Sequence, residues 1–175
     1  IEFFGGAATA RNVFCYKGED DGVDTTDGAR VFLQNGVVVA GDYPEAGQDN
    51  DRHMVEADSS KNDENNKRLR SHPVLVNFTF VGGKNSQGLK LRRGTNYTLV
   101  NSMMVGVDTW CMDPAGAMDL LFTTNLFADC KNTDPVTKMT ENDFVTAASL
   151  KMTKWVPAAD SPALKGAEVM EEFFP

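Results

Sequence analysis

The sequence predicts an all-β chain wound as a right-handed parallel β-helix, and three observations predict it. First, "ARNVFCYKG", "FLQNGVVVAG", "VLVNFTFVGG" and "TLVNSMMVG" each place an Asn before a short apolar run and a Gly. Asn12, Asn35, Asn77 and Asn101 are spaced by 23, 42 and 24 residues, two near-equal intervals and one that is longer. Second, Gly5, Gly28 and Gly94 stand seven residues before an Asn, and Gly18, Gly41, Gly82 and Gly106 stand five or six after one. Glycines at fixed offsets mark corners. Third, "IEFF", "VDTT", "VEAD" and "LKLR" alternate, as strands with one buried face do.

The elements follow in order. Each coil opens with an alternating strand whose inward set is Ile1 and Phe3, Val23 and Thr25, Val55 and Ala57, or Leu89 and Leu91. A corner and a second strand with its Asn come next. A repeat near 23 residues with short strands and corners stacks one coil on the next at about 4.8 Å, so like positions form columns. A β-sandwich has short strands and glycine turns but predicts no constant period, and the Leu pattern of a leucine-rich repeat is absent. In this reading the Asn column is a structural ladder at a bend, because Asn tolerates the left-handed conformation and stacked amides bond one another. "NFT" at Asn77 and "NYT" at Asn96 match the glycosylation pattern, but an Asn turned into the corner would carry no glycan.

The long interval holds "DYPEAGQDNDRHMVEADSSKNDENNKRLRSH", which reads as a polar excursion. Residues 1–106 are thus expected to form the coils, with 42–72 partly a loop insertion, and 107–175 an irregular coil or short helix followed by a partly helical capping segment of the same domain. In the cap, "TENDFVTAASLKM" offers Thr140 as an N-cap with Asp143 three residues on, and "SPALKGAEVMEEFF" also reads as helical in part. A cap is needed because an open coil exposes strand edges.

Bulk properties narrow the function. With 41% hydrophobic and 24% charged residues, the 175-residue chain reads as one soluble globular domain, and no apolar run spans a bilayer. A formal charge of -8 disfavours nucleic acid as a partner. Cys15, Cys111 and Cys130 lack metal or redox spacing; Cys111 and Cys130 could form a disulfide in an exported protein, leaving Cys15 a small apolar residue. "IEFFGG" starts without Met or leader, so a missing N-terminal part of the same chain is expected.

"GEDDGVDTTDG", "GLKLRRGTNYTLVN" and "ADSPALKGA" together resemble the right-handed parallel β-helix proteins, of the pectate-lyase-like superfamily, found in secreted or surface-exposed bacterial settings. The resemblance covers most of the chain and implies a C-terminal segment and an extracellular or cell-surface location. The wider class includes pectate lyases, polygalacturonases, adhesins and phage tailspikes, so it implies no single activity.

Chemistry is expected in two places. Asp20, Asp21, Asp24 and Asp27 crowd one turn and could hold calcium, which takes clustered oxygens, or form a solvated acidic corner. Stacking also predicts an outward column of Glu2, Asp24, Glu56 and Lys90 beside Phe4, Thr26, Asp58 and Arg92. Asp24, Glu56, Asp58, Lys90 and Arg92 are the residues an enzyme would use: a metal-assisted lyase with a Lys or Arg base, or a hydrolase with paired carboxyls. His53 and His72 are weak metal signals, Trp110 and Trp155 could stack on sugars or fill the core, and "KLRRG" could bind an acidic glycan or balance Asp58. The leading expectation is a non-catalytic structural or binding module, with calcium, polysaccharide or further copies of itself as partners. The alternative is a carbohydrate-active enzyme on acidic polysaccharide.

Overall fold

Burial alternates along the strands of the first coils and is continuous along several later ones, and parallel pairing stacks them. The computed structural model describes residues 1–44, 52–61, 70–114 and 116–130, and the strand backbones at 144–147, 152–153 and 156–157. The chain is all-β. One parallel sheet has the order β1 (Glu2–Phe4), β3 (Val23–Thr26), β5 (His53–Ala57), β7 (Gln87–Leu91), β10 (Met112–Asp113). The second runs from β2 (Ala7–Tyr16) through β4 (Arg30–Val39) to β6 (Val74–Val81). There it divides into β8 (Tyr97–Val100) and β9 (Met103–Val105), then β11 (Leu120–Thr123) and β12 (Asn125–Ala128), and reaches β13 (Phe144–Ala147). Successive strands of each sheet alternate with those of the other along the chain, as coils of a β-helix do.

The core lies between the sheets. Val23, Val55, Leu89 and Met112 face one another along one column and are wholly buried. The opposite sheet contributes Leu33, Leu75, Leu99 and Phe122. Burial of such side chains stabilises by about 1.5–3 kcal/mol each before entropy is counted. Ile1 departs from its expected inward place: it is 48% exposed, because the first coil has no coil stacked beyond it among the described residues.

The corner column is set by backbone conformation. Asn12, Asn35, Asn77, Asn101 and Thr124 occupy one register position, each with φ between 48° and 59°. Asn is the non-glycine residue best suited to this left-handed region. The amides point outward, which corrects the expectation of an inward turn: Asn12, Asn35 and Asn77 are exposed, and Asn77 Nδ2 donates to Asn35 Oδ1 at 3.1 Å. A left-handed residue inside a strand bends it, and the bend carries the following residue into the core. That inner position is held by Val13, Gly36, Phe78, Ser102 and Asn125. A methyl on Gly36 would lie 2.0 Å from the Phe78 ring, so glycine makes room for that ring. Ser102 Oγ accepts from Phe78 N–H at 3.0 Å, and buried Asn125 bridges Ser102 N–H and Leu99 C=O at 2.9 and 2.8 Å. The buried polar groups of the corner are thus satisfied by Ser102 and Asn125 rather than by the ladder asparagines.

Two boundaries also change. The region after residue 106, expected as an irregular coil and cap, continues the coils in register through β10, β11 and β12. Residues 144–147, expected as helix after Thr140, form β13 and pair in parallel with β12. An unpaired β12 edge is better satisfied by a strand, and Val145 and Thr146 suit one. The helical reading of "SPALKGAEVMEEFF" and the position of Trp155 lie outside the described residues. Within 42–72 the strand expected at Val55 and Ala57 is β5, and every residue of it is buried.

Candidate functional site

The first sheet's outer face carries the charge. Its register sets Glu2 opposite Asp24, Asp24 opposite Glu56, Glu56 opposite Lys90, and Lys90 opposite Asp113. Alternation sends these side chains away from Val23, Val55 and Leu89. Carboxylates on adjacent rungs repel at this spacing unless cations intervene.

The cations do intervene. Arg92 Nε donates to Asp58 Oδ1 at 2.8 Å, and its Nη2 donates to Glu56 Oε1. Arg93 Nη1 donates to Asp58 Oδ2, and Lys90 Nζ to Asp113 Oδ2. "KLRRG" is therefore a neutralising element for buried Glu56 and Asp58. Lys90 and Arg92 are committed to ion pairs, which leaves neither placed as the free base of a lyase.

An open groove of about 360 Å³ runs along this face. Asp20, Asp21, Asp24, Asp27, Glu56 and Asp58 line it with Lys61, Arg92, Arg93, Thr26 and Phe4. Phe4 is 68% exposed and forms an aromatic surface there. Burial, reinforced by the Asp21, Glu2 and Asp20 carboxylates and opposed by Arg92, raises the Asp24 carboxyl to about 6. Burial also raises Asp58 to about 6, against Arg93 and with the help of Asp24 and Asp21.

Asp20, Asp21, Asp24 and Asp27 all reach the groove, but the ligand atoms that converge come from Asp21, His53 and Glu56, within 4.8 Å of one another. Asp20, Asp24 and Asp27 are not in that group. His53 Nδ1 lies 3.0 Å from Asp21 Oδ1 and 3.4 Å from Glu56 Oε2, and the His53 amide donates to Asp21 Oδ1. Asp21 and His53 also line a neighbouring pocket of about 190 Å³. The Trp110 ring lies 5.6 Å from the imidazole, and Lys90 Nζ lies 5.7 Å from the Trp110 centroid. Trp110 thus covers His53 instead of standing free in the groove. Sequence reasoning gave His53 only as a weak metal signal, without partners. Its membership follows from the β3 to β5 register, which sets Val23 opposite Val55 as expected and so carries His53 to Asp21.

Elsewhere, His72 Nε2 lies 3.0 Å from Thr98 Oγ1, and burial with Arg30 nearby lowers its pKa. Cys111 and Cys130 form a disulfide with Cα atoms 5.7 Å apart. Cys15 is half-buried, and its thiol donates to Gly22 C=O at 3.1 Å.

Parallel coils with a charged outer groove on one sheet agree with what comparison finds: a family model described as a pectate-lyase-like β-helix domain matches residues 1–168. The chain belongs to the pectate-lyase-like β-helix domain family. No curated protein and no solved structure matches it significantly. Membership in the pectate-lyase-like family fits a carbohydrate-related or structural role. The groove beside β3 and β5, closed by Arg92 and Arg93 just after β7, gathers six carboxylates and three cations.

Proposed function

We propose that the chain is an extracellular or cell-surface glycan-binding module that holds a polysaccharide along the groove of the first sheet. The observation that carries this reading is the groove itself: an open cavity of about 360 Å³ with carboxylates and guanidiniums to bond hydroxyls, and exposed Phe4 to meet a sugar face. Its charge refines the ligand. Six carboxylates against three cations repel a polyuronate, so a neutral or amino-bearing glycan suits it better than the acidic polysaccharide anticipated from sequence. Affinity electrophoresis through gels of neutral and of uronate polysaccharides tests this. Retardation by a neutral glycan supports it; retardation by polyuronate alone, or by none, contradicts it.

A second reading, a glycoside hydrolase, is favoured by one observation: Asp24 and Asp58 share the groove, and paired carboxyls are what hydrolysis needs. Release of reducing ends from a glycan that the groove binds would establish it. Binding without release leaves the module non-catalytic.

A further inference from the structure

We infer that Asp21, His53 and Glu56 form a binding site for a single first-row divalent metal ion of the zinc type, a ligand class different from the calcium that an acidic turn suggests. Three facts carry this. The first is spacing. Bonds of about 2.1 Å in a tetrahedral sphere put neighbouring ligand atoms about 3.4 Å apart, and an octahedral sphere about 3.0 Å. His53 Nδ1 lies 3.4 Å from Glu56 Oε2 and 3.0 Å from Asp21 Oδ1.

The second is proton supply. Both carboxylates face one imidazole nitrogen, whose single N–H can satisfy one of them well and the other only by sharing. A divalent cation in the proton's place would bond one oxygen of each at once, leaving Arg92 on the other oxygen of Glu56.

The third is support. The His53 amide orients Asp21 Oδ1, Arg92 holds the other oxygen of Glu56, and Trp110 shields the imidazole. Such outer contacts fix ligands in protein metal sites. Imidazole is also a good ligand for zinc-like ions and a poor one for calcium, which prefers oxygen. Asp21 and Glu56 line the groove, so a ligand position left open would face it. Three protein ligands with one open position is the pattern of zinc sites that bind a further molecule.

The test is titration of the full chain, freed of metal by chelator and dialysis, with Co2+ followed by visible absorption and then with Zn2+. The expected result is d–d bands saturating at one equivalent, abolished by stoichiometric Zn2+ and unaffected by a hundredfold excess of Ca2+. Asp21→Asn and His53→Gln should each weaken Co2+ binding at least tenfold, while Glu19→Gln on the same acidic turn should change it less than twofold. Circular dichroism checks folding, and if His53→Gln does not fold, Asp21→Asn decides. Absence of bands at one equivalent, insensitivity to the decisive substitution, or equal competition by Ca2+ overturns the site. No glycan enters the assay, so its failure would leave the groove reading standing, and failure of glycan binding would leave the metal site standing.

Discussion

Two outward columns run along this β-helix, and they are built on opposite principles. At the corner of the second sheet, Asn12, Asn35, Asn77 and Asn101 repeat one residue type because each coil needs the same left-handed turn. On the face of the first sheet, Glu2, Asp24, Glu56, Lys90 and Asp113 change type from rung to rung while the backbone stays the same. A column repeated for the backbone's sake holds the fold. A column varied against a constant backbone is free to carry chemistry.

The comparison can be broken first at the ladder's inner neighbour. Phe78→Ala, beneath the corner and fully buried, should cost about 4 kcal/mol by chemical denaturation, from lost burial and the cavity over Gly36. Next, on the charged face, Arg92→Met removes the partner of two buried carboxylates and should cost about 3 kcal/mol. An effect below that of a surface substitution would show that Glu56 and Asp58 are not held by Arg92.

At the ladder, Asn77→Val puts a β-branched residue at φ 57° and should cost about 1–2 kcal/mol, while Asn77→Gly should cost much less. Equal losses would move the ladder's value from the backbone turn to the amide stack.

The smallest effect has the opposite sign. Asp24 titrates near 6 in the folded chain against 3.8 as its ordinary value, so between these values the folded state holds a proton that the unfolded state has released. Its contribution to stability is therefore present at low pH and lost as pH rises through about 6. In metal-free buffer at pH 7, Asp24→Asn should raise stability by on the order of 1 kcal/mol, since solvent in the open groove screens part of the repulsion. It should also flatten the decline between pH 4 and 6.

These columns also separate what was legible in the sequence from what was not. The Asn spacing and the glycine offsets revealed the coils because backbone demands recur at each turn. The alternating tetrapeptides placed Asp24, Glu56 and Lys90 in one row, as the register has them. The direction of the Asn amides was not legible, since a residue that bends a strand can lie on either side of it. The coil after residue 106 read as irregular because Thr124 replaces Asn in the column. His53 read only as a weak metal signal, because its convergence with Asp21, 32 residues apart in sequence, shows when the β3 to β5 register is extended past the alternating tetrapeptides.

The most direct measurement of the central claim is calorimetric titration of a neutral oligosaccharide into the unmodified chain and three variants: Phe4→Ala and Asp27→Asn on the groove, and Asn77→Gly on the ladder. All three positions are exposed. The account predicts at least tenfold weaker binding for Phe4→Ala, weaker binding for Asp27→Asn, and unchanged affinity for Asn77→Gly. Loss of affinity with Asn77→Gly while both groove variants bind normally would contradict it.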